Sequence, residues 1–112
     1  MKPDNMFKGL PDALPEESFQ DILSRGNVRI ERIVSQGHRS PEGFWYDQHW
    51  DEWVLLLRGR AGLEIQGQPA VIELGPGDHL FIPAHTRHRV AWTDSGQRSV
   101  WLAVHIHSRD DL

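Results

Sequence analysis

The chain has 112 residues, which is enough for one domain with one hydrophobic core. It contains no Cys, so disulfides, thiolate metal sites and thiol nucleophiles are excluded. The formal net charge is −4, with 12 basic and 16 acidic side chains, and this acidic balance argues against nucleic acid or an anionic membrane surface as a partner.

The N-terminal part predicts an irregular arm followed by a short helix. Residues 1–14 are rich in Pro and are expected to pack on the surface or on a partner. Residues 15–17 (Pro-Glu-Glu) suit a first helical turn, because Pro fits the first position and acids complement the helix dipole. Three apolar side chains with helical spacing follow: Phe19, Ile22 and Leu23. Gly26 ends the predicted helix, so arm and helix cover residues 1–26.

The rest of the chain predicts β-structure. Short segments rich in β-branched, aromatic or alternating residues are separated by turns containing Gly, Pro and Asp. The most apolar of them is Asp51–Arg58. The other predicted strands are 28–34, 44–48, 63–66, 70–74, 79–82, 87–93 and 99–107. About eight short strands with turns at this spacing indicate an all-β sandwich or barrel over residues 27–107, with a C-terminal tail at residues 108–112.

Histidine is the residue type that most suggests a functional site. Six of the seven His fall at or after residue 49. His85 and His88 flank a turn and can approach one point. Strand periodicity places Trp92 on the same face as His88, and Trp101 on the same face as His105. The remaining histidines share a strand face with no other candidate residue, and we interpret them as surface residues: His38, His79 and His107.

One carboxylate lies beside the most apolar strand. Glu52 must be solvated at the strand end, paired, or bound to a metal ion, because an unpaired buried charge is costly. Tyr46 and Gln48 have the same strand parity as Glu52, whereas His49 and Asp51 have the opposite parity. The two sets cannot face one interior unless a bulge intervenes.

A pair of sequence motifs then points to a family. Gly77, Pro83 and His88 stand at the spacing of the second motif of small single-domain cupins, which are double-stranded β-helix (jelly-roll) proteins, and the chain resembles that family over residues 27–107. His85 replaces the Gly that is usual in this motif, and Trp92 falls where Asn is usual.

The first cupin motif is kept only in part. Glu52, six further residues and Gly59 match it, and counting back from them puts Tyr46 and Gln48 at the positions of the two family histidines. We prefer this register because the turn between two strands fixes Glu52 and Gly59 together.

A second register of that motif stays open. Counting forward from Gly43 puts His49 and Asp51 at the two histidine positions, but Glu52 then comes too early.

The resemblance implies a divalent transition metal, namely Fe, Mn, Ni, Co or Zn. The implied ligands in this sequence are Gln48, Glu52 and His88, with His85 as an added nitrogen ligand. Tyr46 is a poor ligand while protonated, and together with Glu52 it forms the expected catalytic set. The expected pocket residues are His49, Trp92, Trp101 and His105.

Three functions remain open at this point. The first is a metal-dependent enzyme of the isomerase, lyase or dioxygenase type that acts on a small organic molecule. The second is a non-enzymatic small-ligand-binding or sensory cupin without metal, and the third is a structural network of His and Glu in a dimer. The resemblance also implies a homodimer. No membrane span or signal-peptide core is evident, so we expect a cytoplasmic protein.

Overall fold

The computed structural model describes residues 1–108, which form eight β-strands and no helix. The strands are β1 (Ser18–Arg25), β2 (Val28–Ser35), β3 (Asp51–Arg58), β4 (Ala61–Ile65), β5 (Ile72–Leu74), β6 (His79–Ile82), β7 (His88–Thr93) and β8 (Ser99–Ile106). They make a five-stranded antiparallel sheet in the order β1-β2-β8-β3-β6 and a three-stranded antiparallel sheet in the order β5-β4-β7. The predicted all-β jelly roll is therefore confirmed.

The core lies between the two sheets. Strand β3 shows why: Glu52, Val54 and Leu56 are buried, whereas the side chains between them are only half-buried. Side chains alternate between the two faces of a strand, so every second residue of β3 points toward the other sheet. The apolar core cluster is Val54, Leu56, Ala61, Leu63, Leu74, Ile82, Trp101 and Ala103.

The predicted N-terminal helix is wrong. Residues 18–25 form strand β1, which pairs antiparallel with β2, and a two-residue turn at Gly26 (φ 56°) connects the two strands. A helix here would leave one edge of β2 without a partner, whereas the ladder satisfies the backbone of both segments. The helical spacing of the apolar residues coincides with a β-bulge at Ile22, where the register shifts between Asp21 and Leu23.

The N-terminal arm packs on the sheet through arginines that bind its backbone. Arg32 donates hydrogen bonds to the carbonyls of Met6 and Lys8, at 3.1 and 2.7 Å. Arg98 donates to the carbonyls of Pro11 and Asp12. These charge-assisted bonds hold a segment that has no strand of its own.

The predicted C-terminal tail lies mostly outside the described part of the chain, because residues 109–112 are not described. Within residues 1–108, no helix has the length and apolar character needed to cross a membrane.

Candidate functional site

A cavity of about 300 Å³ lies between the sheets. Its apolar wall consists of Phe19, Ile33, Val54, Leu63, Ile82, Val90 and Trp101. Its polar wall consists of Glu17, Arg29, Glu31, Tyr46, Gln48, Glu52, His88 and His105. A mostly apolar cavity with a few convergent polar groups is typical of a small-molecule site, and this volume is near the lower limit of such sites.

Strand register explains why the polar groups converge. Glu52 on β3 lies directly opposite His105 on β8, and His105 lies opposite Arg29 on β2. Cross-strand partners point to the same face of a sheet. One row of the five-stranded sheet therefore presents a carboxylate, an imidazole and a guanidinium to the cavity.

The second sheet contributes His88, which meets Glu52 at the cavity wall. Both side chains are buried, at 7% and 9% exposure, and His88 Nε2 lies 3.7 Å from Glu52 Oε1. The Nδ1–H group of His88 donates to the carbonyl of Thr86 at 2.8 Å. Because a carbonyl only accepts, this bond leaves Nε2 as the nitrogen that gains or loses a proton. Gln48 donates its amide N–H to Glu52 Oε1 at 2.9 Å.

The two partners shift each other's pKa in opposite directions. Burial by itself raises the pKa of Glu52, but the contacts with His88 and Gln48 and the nearby His105 outweigh it, so the pKa is lowered. Burial by itself lowers the pKa of His88, but Glu52 and the Thr86 carbonyl outweigh it, so the pKa is raised. The pair therefore favours an ionised Glu52 beside a histidine that titrates above its ordinary pKa.

Tyr46 lies against His88. Its backbone N–H donates to the His88 carbonyl at 2.7 Å, and the His88 N–H donates back at 3.1 Å. The two rings stack with centroids 5.4 Å apart. Burial raises the pKa of Tyr46, and the charges of Glu17, Glu52 and Glu31 raise it further. The phenol therefore stays protonated and is able to donate a hydrogen bond.

His105 connects Trp50 to Glu31. The Trp50 indole donates to His105 Nδ1 at 2.9 Å, so Nδ1 is the acceptor and Nε2 carries the hydrogen. Nε2 then donates to Glu31 Oε1 at 3.1 Å, and Arg29 donates to Glu31 Oε2 at 3.0 Å. Both ring nitrogens are occupied, so His105 orients Glu31 and is not itself placed to exchange protons with a ligand.

Sequence reasoning missed Glu31, Arg29 and Glu17 as cavity residues. A signal was present for two of them, because Arg29, Glu31 and Ile33 alternate along β2 and share one face. A charged face on a central strand indicates polar groups turned toward an interior.

Two of the predicted histidines do not line the cavity. His85 occupies the turn before β7 with φ 61°, and its exposed ring lies 3.3 Å from Asp47. His49 packs edge-on against Trp50, beside His107. The predicted cavity residues that do converge are Tyr46, Gln48, Glu52, His88, Trp101 and His105.

Trp92 also lies away from the cavity, and a β-bulge is the reason. Val90 pairs with Leu63, but the next pair is Trp92 with Gly62, so β7 advances two residues while β4 advances one. The extra residue, Ala91, turns Trp92 to the opposite face from Val90, where it packs on Gly62.

The donor set does not fit the metal centre that the resemblance implies. Within residues 1–108, no group of three or more His, Cys, Asp or Glu is close enough to hold a metal ion. Glu52 and His88 are two strong donors, but Gln48 is a neutral amide and Tyr46 a protonated phenol. The metal ion that the resemblance implies therefore lacks a fitting ligand set among the described residues, and the reaction proposed for this cavity does not use one.

The comparisons with known proteins agree with this fold. The family profile for the cupin domain matches residues 32–105. The chain belongs to the cupin superfamily. No curated protein sequence matches the chain significantly.

Solved structures of other proteins superpose on this one. A proposed mannose-6-phosphate isomerase from Ralstonia eutropha JMP134 is 51% identical, with a TM-score of 0.92 over 96% of this chain and 100% of that one. The polyketide cyclase RemF from Streptomyces resistomycificus is 23% identical, with a TM-score of 0.71 over 82% of this chain and 66% of that one. The DMSP lyase DddQ from Ruegeria pomeroyi DSS-3 is 19% identical, with a TM-score of 0.69 over 82% of this chain and 47% of that one. The last two likenesses concern the fold alone.

Proposed function

We propose that this cupin is an enzyme that moves a proton within a small organic molecule bound in the cavity. The observation that carries the proposal is the buried pair of Glu52 and His88 on the cavity wall, beside the phenol of Tyr46. A proton carrier of this kind needs a titratable group within reach of the ligand and a partner that stabilises its charged form. His88 Nε2 and Glu52 meet these two requirements.

In the proposed reaction, the neutral Nε2 of His88 takes a proton from a carbon next to a carbonyl group. Glu52 stabilises the imidazolium that forms, and the Tyr46 hydroxyl donates a hydrogen bond to the carbonyl oxygen as it gains negative charge. Where the deprotonated carbon bears a hydroxyl group, return of the proton to the former carbonyl carbon, with transfer of the hydroxyl proton to the former carbonyl oxygen, gives an isomer. Loss of a leaving group from the carbon on the other side gives an elimination product. Of the reaction types open from sequence, isomerase and lyase are the ones these residues support.

The relative from R. eutropha supports an isomerase in particular. It is proposed to be a mannose-6-phosphate isomerase. An aldose–ketose interconversion requires proton transfer next to a carbonyl, which is the step proposed for His88.

The test is solvent hydrogen exchange, which needs no knowledge of the product. The protein is incubated in D₂O with a panel of small carbonyl compounds that includes mannose, and loss of C–H signals is followed by proton NMR. We expect exchange in at least one compound, and a rate lowered about 100-fold in His88→Gln. The control is His79→Gln, since His79 is exposed on β6 and outside the cavity. Equal rates in wild type, His88→Gln and Glu52→Gln would contradict the proposal.

A second function, small-ligand binding without catalysis, is supported by the apolar wall of the same cavity. A compound that raises the melting temperature in wild type, but not after Val54→Trp fills the cavity, binds there. If such a compound shows no solvent exchange, the binding function is favoured over the enzyme.

A further inference from the structure

The charges that line the cavity are unevenly balanced. Among the described lining residues, the carboxylates are Glu17, Glu31 and Glu52, and the only guanidinium or ammonium group is that of Arg29. When His88 is neutral, which is the form that the proposed reaction requires, a ligand in this cavity is therefore surrounded mainly by negative charge.

The guanidinium of Arg29 already contacts two carboxylates. Arg29 Nη1 lies 3.0 Å from Glu31 Oε2 and 3.2 Å from Asp21 Oδ1. A phosphate group would have to compete with two carboxylates for this donor. Both carboxylates contact Nη1 and offset the positive charge that would attract a phosphate to this guanidinium.

The other carboxylates keep their charge. Glu17 accepts a hydrogen bond from the hydroxyl of Ser35 at 2.7 Å, and this neutral donor cancels no charge. Glu52 lies 3.7 Å from His88 Nε2, so its charge is uncompensated when that imidazole is neutral, the form that the proposed reaction requires. The same carboxylates act on Tyr46. Burial raises the pKa of its phenol, and the charges of Glu17, Glu52 and Glu31 raise it further.

We infer that the cavity binds an uncharged or cationic small molecule and excludes phosphorylated ones. This inference rests on the proposed function only in taking the cavity as the place where the ligand binds. It separates this chain from the substrate named for the R. eutropha relative, whose sugar carries a phosphate. The reaction class can be shared while the charge of the ligand differs.

Fluorescence quenching tests the charge selection without a known ligand. Trp101 lines the cavity and is 4% exposed, so the difference between wild type and Trp101→Phe isolates its emission. Iodide, caesium and acrylamide then serve as anionic, cationic and neutral quenchers at pH 8. For each of the two tryptophans, the quenching by caesium or acrylamide is divided by the quenching by iodide. We expect this ratio to be at least about three-fold larger for Trp101 than for Trp53. Trp53 is the reference because it contacts His79 outside the cavity.

A second variant covers the case in which Trp101→Phe does not fold. Glu17→Gln removes one cavity charge at a part-buried hydrogen bond, and we expect it to increase iodide quenching of the total fluorescence. Equal iodide and caesium quenching of Trp101, or no effect of Glu17→Gln, would overturn the inference. The inference would also be overturned if millimolar mannose 6-phosphate raised the melting temperature of the wild type and Arg29→Gln abolished that rise. None of these measurements involves turnover, so failure of the exchange experiment and failure of this inference are distinguishable.

Discussion

Glu52 and His88 come from different sheets and meet 3.7 Å apart, Oε1 to Nε2, on the wall of one cavity. Glu52 is on β3 in the five-stranded sheet, and His88 begins β7 in the three-stranded sheet. The geometry of the pair therefore depends on how the two sheets pack. A disturbance of that packing is expected to change the site even when neither residue is altered.

The pair makes stability depend on pH. The pKa of His88 is raised above its ordinary 6.5. The contribution of His88 to the free energy of unfolding is therefore present below pH 6.5 and is lost as the pH rises through the folded-state pKa. The pKa of Glu52 is lowered below its ordinary 4.5. The contribution of Glu52 to the free energy of unfolding is therefore present above pH 4.5 and is lost as the pH falls through the folded-state pKa. We expect the difference in free energy of unfolding between wild type and His88→Gln to be largest between these ordinary values and to shrink toward pH 8. Urea titrations at several pH values measure it. A difference that grows from pH 6 to pH 8 would be inconsistent with the pair, and His79→Gln is the control.

Gly59 is expected to be intolerant of a side chain. It has φ 95°, and a Cβ there would lie 2.6 Å from the Cα of Ser99. Strain and overpacking together predict that Gly59→Ala lowers the free energy of unfolding by about 3 kcal/mol. Gly67 has a similar φ of 89° and nothing within 4 Å of a Cβ, so Gly67→Ala is the matched control with a loss of about 1 kcal/mol. Equal losses in the two variants would show that the contact with Ser99 does not matter.

Metal dependence can be tested directly. The donor set leads us to expect protein purified without chelator to hold less than about 0.1 equivalent of transition metal, with its melting temperature unchanged by EDTA. Elemental analysis and thermal unfolding are the measurements. Stoichiometric metal that is lost in Glu52→Ala and His88→Ala would restore the ligand set implied by the family. Loss in His49→Ala but not in Gln48→Ala would select the second motif register instead.

The homodimer stays a prediction, and the edge strand β1 is where we expect it to form. β1 has one strand neighbour, and it exposes Phe19, Ile22 and Leu23 by 53%, 48% and 48%. Exposed apolar edges are normally covered, and a second copy would cover this one. Sedimentation at micromolar concentration should give a dimer that Leu23→Lys weakens at least about ten-fold, a change of about 1.4 kcal/mol. The control is Val71→Lys, which alters an equally exposed apolar residue elsewhere. A wild-type monomer at that concentration would end this prediction.

Part of the site was predictable from sequence, since Tyr46, Gln48 and Glu52 all line the cavity as expected. Strand periodicity explains only Glu52, because the predicted strand at residues 44–48 is not formed: Tyr46 makes a single bridge to His88, and a bend at residues 49–50 precedes β3. The strand boundaries of β3 agree with the sequence prediction at both ends, since the apolar run is bounded by charged residues. The same reasoning failed at Trp92, because a bulge is defined by the partner strand and leaves no mark in the periodicity of its own strand.

The sequence by itself determined the all-β class, the inward face of strand β3 and the turn glycines, because these depend on side-chain period and backbone freedom within a few residues. Only the tertiary structure decided that residues 18–25 are a strand, that His85 and His49 lie outside the cavity, and that Glu31 and Arg29 lie inside it. Those outcomes depend on which strand pairs with which and in what register. That choice is made by the free energy of the whole sheet, because a segment with two compatible local patterns adopts the one that satisfies its neighbour's backbone.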